Sequence, residues 1–248
     1  MYLVIDNIKV NLKSKEILNN VTFKVKRGEV VGILGKNGVG KSTLLKYIAK
    51  LLPNKGKVYL SNKDLHKISN KELAKKLSYV SQTQNGGFLS VYETLLLGRK
   101  PYFSFSPSKE DIKKVEQIIE KLNLKDIQNK KTNELSGGEL QKVMIAKELV
   151  KQSEILLFDE PTNNLDIKNQ IEILDYIKET TKKNNLITLI IIHDINLSLK
   201  YCDKFMMIKD KKIIYEGDES IITPSTLKEI YEIDAKICIY KERKVVIY

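Results

Sequence analysis

The run Gly35-Lys36-Asn37-Gly38-Val39-Gly40-Lys41-Ser42 fits the spacing G-x-x-x-x-G-K-[ST] without a mismatch, and Thr43 follows it. It lies between an apolar run, VVGIL, and a helical one, TLLKYIAK. Glycines at these positions let successive backbone N–H groups turn inward toward phosphate oxygens, and the following helix adds its positive N-terminal end. Lys41 supplies a mobile point charge for β and γ phosphates, and Ser42 a hydroxyl for Mg²⁺. A turn built for geometry alone has no use for Lys followed by Ser just past its last Gly.

A phosphate-binding loop of this kind needs a carboxylate at the end of a neighbouring strand to hold the metal. Ile155-Leu156-Leu157-Phe158-Asp159-Glu160 offers one, because four apolar residues make a buried strand from which Asp159 emerges. Glu160 could polarise a water for in-line attack on a γ phosphate, and Pro161 stops the strand. Alone, two acids at a strand end are ordinary solvated charges; the loop upstream gives them a role. Leu135-Ser136-Gly137-Gly138-Glu139 precedes a strongly helical stretch. Ser136 with Glu139 forms a capping box, the plain reading of a well-made helix start. Two adjacent glycines do not improve a cap, however; they expose N–H groups and so make a second anion site. Two phosphate-binding surfaces on one chain suggest a composite site shared between two chains.

Short β-rich runs and longer amphipathic stretches alternate around these motifs. Strands are expected at 30–34, 57–60, 77–80, 155–158, 188–192, 204–208 and 211–215. Helices are expected at 42–51, 70–76, 91–97, 109–122, 137–151 and 168–182. This is an α/β core with a helical insertion in its middle, and parallel strands joined by helices place ligand sites at the strands' carboxyl ends.

The chain has 248 residues, 42% of them hydrophobic, enough for a sizeable core and unlike a disordered composition. No apolar run reaches the roughly eighteen residues that span a bilayer, and the N-terminus carries no secretory pattern, so a cytosolic protein is expected. Cys202 and Cys238 form no C-x-x-C pair, and with only His66 and His193 besides, a transition-metal cage is not expected. Lys+Arg number 43 against 31 Asp+Glu, a net charge of +12, which invites a nucleic-acid reading. Only Arg27, Arg99 and Arg243 are Arg, however, whereas bidentate recognition of phosphates and bases favours Arg. Lysines spread along the chain and interleaved with acids read as a solvated surface, with attraction to an anionic membrane face second.

Taken together, the chain resembles the ATP-binding subunit of an ABC transporter, over nearly its whole length. GKNGVGKST resembles the family's Walker A, LSGGE its signature and ILLFDE its Walker B; YVSQ with Gln82 resembles the Q-loop, NNLD (163–166) with Asp166 the D-loop, and His193 the switch histidine. The resemblance implies a P-loop NTPase core of RecA-like type, with an N-terminal antiparallel β subdomain and an inserted helical subdomain. Its implied parts are a β subdomain and P-loop half (1–84), a helical subdomain (85–152), a second core half (153–220) and a C-terminal extension (221–248). It further implies ATP and Mg²⁺ as ligands, with residues 35–43 on the nucleotide, Ser42, Asp159 and Gln82 on the metal, and Glu160, His193 and Gln82 in catalysis. Ser136, Gly137, Gly138 and Glu139 would reach the nucleotide of a second copy. The implied partners are a homodimer mate, two membrane permease subunits and, indirectly, a substrate-binding receptor, at the cytoplasmic face of the cell membrane. VYETLLLGRKPY (91–102), LFDEPTNNLDIKNQIEIL (157–174) and HDINLSLKYCDK (193–204) resemble the importer group for iron-siderophore, haem, cobalamin and some oxyanions. A non-transport ABC ATPase acting on nucleic acid or the ribosome is the alternative, on charge alone.

Three positions depart from the family pattern: Glu139 where Gln is frequent, Lys142 where Arg is frequent, and the aromatic that usually stacks on adenine. Matching ILNNVTF to the family strand puts Leu12 at that place, and no Tyr, Phe or Trp occurs from residue 3 to 22. Weak discrimination between ATP and GTP is the expected consequence.

Overall fold

The computed structural model describes residues 2–53 and 55–248. The chain divides into two compact units, residues 1–68 with 178–248, and residues 69–177.

The first unit opens on a hairpin of β1 (Tyr2–Leu12) and β2 (Lys15–Lys26), antiparallel around the turn Lys13-Ser14. Both turn residues have positive φ (46° and 66°), the handedness that follows the twist of paired strands. Alternation turns Leu3, Ile5, Ile8 and Val10 inward on β1, and Leu18, Val21, Phe23 and Val25 on β2. The register slips between Ile5 and Ile8, at left-handed Asn7, whose N–H donates to Thr22 Oγ1 at 2.9 Å. That slip keeps the apolar face inward on both sides of it. β4 (Lys55–Leu60) and the short β5 (Lys63–Asp64) complete the sheet in the order β2-β1-β4-β5.

A second set of strands in this unit is parallel at its centre. β3 (Val30–Leu34) lies between β8 (Ile187–Ile191) and β9 (Lys204–Lys209), parallel to both, and β10 (Lys212–Gly217) joins β9 antiparallel. Every residue of β3 and β8 is buried, which explains their continuous apolar runs. Helix α1 (Lys41–Ile48) follows the carboxyl end of β3, and α7 (Ile195–Tyr201) that of β8. The chain closes with α8 (Pro224–Tyr231) and a hairpin of β11 (Lys236–Tyr240) and β12 (Arg243–Ile247).

In the second unit β6 (Leu77–Val80) and β7 (Ile155–Asp159) pair in parallel, and α2 (Asn70–Lys76) leads directly into β6. Between these strands run α3 (Val91–Gly98), α4 (Lys109–Lys121) and α5 (Gly137–Leu149), each opened by a complete capping box, Ser90–Glu93, Ser108–Asp111 and Ser136–Glu139. α3 packs on α4 and α5, with Val91, Leu95, Val115, Val143 and Ala146 buried. A buried ion pair, Arg99 Nε to Asp111 Oδ1 at 2.8 Å, ties the end of α3 to the start of α4. Arg99 also donates to the carbonyls of Val150 and Lys151 and lies under the Tyr102 ring, 3.8 Å from its centroid. The chain re-enters the first unit along α6 (Ile167–Lys183).

No helix among the described residues is long and apolar enough to cross a membrane. The strand expected at 57–60 begins at Lys55, and the helix expected at 42–51 ends at Ile48. There Lys50 turns left-handed (φ 61°) and the Lys50 and Leu51 N–H groups fold back onto the Tyr47 and Lys46 carbonyls.

Candidate active site

The loop between β3 and α1 is shaped by backbone conformations that side chains resist. Gly35 has φ 142°, and a Cβ there would sit 2.5 Å from the Ile208 carbonyl oxygen; Gly40 has φ 109°, with Leu18 Cδ2 at 2.9 Å. Lys41 is buried, and its Nζ donates to the carbonyl oxygens of Gly35 (2.6 Å) and Lys36 (2.9 Å). These two carbonyls aim the ammonium back along the loop. The first turn of α1 contains no acidic residue, and its left-handed N-cap, Gly40, provides no side-chain cap, so the helix opens without an anion of its own. Ser42 and Thr43 are half-buried in that turn. His193 leaves the carboxyl end of β8, the parallel neighbour of β3; it is exposed, and Asp194 beside it caps α7 through the Leu197 N–H at 2.9 Å.

The carboxylates belong to the second unit. Asp159 ends β7, almost wholly buried, and its Oδ2 accepts a hydrogen bond from Tyr79 Oη on β6 at 3.1 Å. Burial and then the charge of Asp159 push the Tyr79 hydroxyl well above its usual range, so it stays a donor. Glu160 is buried and held in the left-handed region (φ 55°), a conformation that costs a non-glycine residue about 1 kcal/mol or more. Two amides hold its carboxylate there, Gln82 Nε2 at 2.6 Å and Asn163 Nδ2 at 2.5 Å, both on Oε2. With its nitrogen on Glu160, Gln82 turns its amide oxygen away from that carboxylate.

Ser136, at the start of α5, is exposed and engaged with its own helix: its Oγ donates to Glu139 Oε2 (2.8 Å) and accepts from the Glu139 N–H (3.3 Å), while its N–H donates to the same carboxylate (2.9 Å). These bonds hold the Glu139 carboxyl below its usual value, first through the Ser136 N–H and then through the hydroxyl. Gly137 is exposed with open space around it, and a Cβ on Gly138 would stand 3.1 Å from the Asn164 carbonyl. Asp166 opens α6, accepting from the Asn169 N–H (2.7 Å) and side-chain amide (3.0 Å). Lys142 pairs with Glu172 at 2.8 Å. Leu12 ends β1 and is half-buried; Tyr2 stands at the opposite end of the hairpin, opposite Lys26, about 30 Å away along the strand. Tyr2 of the same chain therefore cannot take the place of an aromatic at Leu12.

Among the described residues no cluster of three or more His, Cys, Asp or Glu could hold a metal by itself. The oxygen donors of Ser42, Asp159 and Gln82 suit Mg²⁺, which is commonly held by one or two protein ligands together with substrate phosphates. Motif reading left four contacts unassigned: Tyr79 on Asp159, Asn163 on Glu160, Tyr231 on Gly35 and Glu232 on Lys36. Asn163 lies within the NNLD run; the other three joinings depend on folding and have no local signal.

A glycine-shaped loop with a buried lysine after a parallel strand, and carboxylates at the end of another, define a P-loop NTPase. Residues 18–163 match the family described as "ABC transporter". The chain is 49% identical to an uncharacterised ABC transporter ATP-binding protein, MJ0089, of Methanocaldococcus jannaschii, over 96% of this chain and 94% of that one. It is 31% identical to the petrobactin import ATP-binding protein YclP of Bacillus subtilis, over 98% of this chain and 97% of that one. A dimeric post-hydrolysis structure of the ATP-binding cassette MJ0796 with ADP and Pi superposes with a TM-score of 0.78 at 28% identity, covering 87% of this chain and 98% of that one. The chain belongs to the ABC transporter family, as an ATP-binding ATPase subunit.

Proposed function

We propose that this chain hydrolyses ATP to drive a membrane importer for a metal chelate, an iron-siderophore, haem or cobalamin complex. The full-length likeness to a petrobactin import subunit, in a chain that carries all six sequence motifs, supports the reading. In this reading residues 35–43 bind the triphosphate, with loop amides and Lys41 on the β and γ phosphates. Ser42, Asp159 and Gln82 would hold Mg²⁺, which would supply positive charge against the triphosphate. Glu160 accepts a proton from the attacking water, in the orientation that Gln82 and Asn163 impose on its carboxylate. His193 contacts the γ phosphate. Two copies close head to tail, and Ser136 and Gly138 of each complete the coordination of the other's γ phosphate, with Asp166 beside them. ATP favours the closed pair, and hydrolysis releases it.

The second unit also offers the surface through which a permease would respond. A groove of about 510 Å³ is lined by Lys71, Leu97, Lys100, Phe103, Lys147 and Lys151, close in sequence to the wholly exposed Phe105. Apolar walls with a lysine rim suit an amphipathic, acid-bearing permease segment, which would place the chain at the cytoplasmic membrane face. A nucleic-acid role rests on net charge alone.

Purification of the tagged chain from membranes in mild detergent tests the reading. A polytopic membrane protein should copurify in equal amount, and the ATPase activity of the complex should rise with a receptor carrying a ferric siderophore, haem or cobalamin. Stimulation by RNA or DNA at physiological salt, with no membrane partner, would contradict it.

A further inference from the structure

The carboxyl-terminal segment grips the phosphate-binding loop at the two residues that aim its lysine. Lys41 Nζ is held by the carbonyls of Gly35 and Lys36. The Gly35 N–H donates to Tyr231 Oη at 2.9 Å, and the Lys36 ammonium pairs with Glu232 Oε2 at 2.5 Å. Both partners stand at the end of α8, where Glu232 turns left-handed (φ 59°) and stops the helix. α8 is itself anchored: Ile222, Leu227 and Ile230 are buried, Lys209 Nζ donates to the Glu229 carbonyl, and Tyr215 Oη donates to the Glu229 carboxylate at 2.6 Å. Burial pushes the Tyr231 hydroxyl up to about 12, so it stays protonated while accepting from Gly35.

The far end of the same segment is fastened beside the switch histidine. The Asn196 side chain spans the backbone of Val246, donating to its carbonyl at 3.0 Å and accepting from its N–H at 2.8 Å. Asn196 is three residues past His193, in the first turn of α7.

We propose that residues 224–247 brace the nucleotide site, with Tyr231 a positioning residue for the P-loop and Asn196 the point where the brace holds the helix after His193. Gly35 is buried at the exit of a strand, and its N–H needs an acceptor; orphaning it would let the loop turn the amide outward and carry the two lysine-aiming carbonyls with it. The exposed Lys36–Glu232 pair steers more weakly. The inference rests on residues 35–43 being the ATP site.

Tyr231→Phe removes one oxygen and keeps the ring. ATP affinity by calorimetry and the KM for ATP should weaken about fivefold, the size of one hydrogen bond, with a smaller change in kcat. The Gly35 amide should exchange faster with solvent, and the melting temperature should move little. Glu232→Gln should weaken ATP binding less than twofold, more at low salt than at high. Asn196→Ala should lower kcat severalfold with little change in ATP affinity. If Tyr231→Phe and Asn196→Ala lower the melting temperature while leaving KM and kcat as they are, the segment is packing and the brace is refuted. Lys41→Ala separates the two ideas: it must lose ATP binding, and if it does not, the site assignment fails rather than the brace.

Discussion

Helices α1 and α5 both begin at a glycine-rich turn, and both were readable as anion sites, yet their first turns are in opposite states. α1 starts from left-handed Gly40 with no side-chain cap and no acid in its first turn. α5 starts from Ser136 and Glu139, which satisfy each other and place a carboxylate on the turn. The first has no acid of the helix beside its opening N–H groups. The second carries its own anion, and in the proposed dimer its serine would exchange the Glu139 contact for a phosphate. In that dimer the first would be a ready site and the second a conditional one.

Glycine replacements test the contrast most strongly. Gly40→Ala forces a Cβ into a left-handed position 2.9 Å from Leu18 Cδ2. Losing even two charge-assisted phosphate bonds at about 1.5 kcal/mol each corresponds to about a hundredfold weaker ATP binding by the monomer. Gly137→Ala, with nothing within 4 Å of its Cβ, should spare the monomer's ATP affinity and lower hydrolysis, which calorimetry and steady-state assays separate.

A smaller effect is expected from Glu139→Gln. Glutamine completes a capping box as glutamate does, so stability should change by less than about 0.5 kcal/mol. Removing a negative charge where phosphate must dock should tighten ATP-dependent dimerisation about threefold, a figure kept low because the site is exposed. Analytical ultracentrifugation with ATP in the Glu160→Gln background reads it.

The smallest effect is on pH. The Glu139 carboxyl lies below its ordinary value of 4.5 in the folded chain. Its stabilisation of α5 is therefore complete above about pH 4.5 and is lost as pH falls through the depressed value. Protection of the α5 first-turn amides should drop between about pH 5 and pH 3 in the native chain and not in Glu139→Gln. The α1 first turn, which has no acidic residue, should show no such loss.

The same contrast shows how far the sequence could be read. Gly35, Gly40 and Lys41 act through backbone conformation and local spacing, so their motif exposes them directly. The strand at 30–34 was equally legible, because a continuous apolar run flanked by turn residues admits few readings. The grip on Glu160 by Gln82, 78 positions earlier, leaves no local trace, and neither does the contact of Tyr231 with Gly35, 196 positions away. The last three elements, α8, β11 and β12, are short, and β11 and β12 have mostly exposed or half-buried faces, so periodicity says little there. Long-range hydrogen bonds fix the geometry that motifs only announce.

In the proposed mechanism Glu160, held by Gln82 and Asn163, is the base of an ATP hydrolysis completed by a second copy of the chain. Glu160→Gln measured by size exclusion and turnover together tests it most directly. ATP binding should persist, turnover should fall by about two to four orders of magnitude, and a stable ATP-bound dimer should accumulate. Near-normal hydrolysis, with a monomer in the presence of ATP, would contradict it.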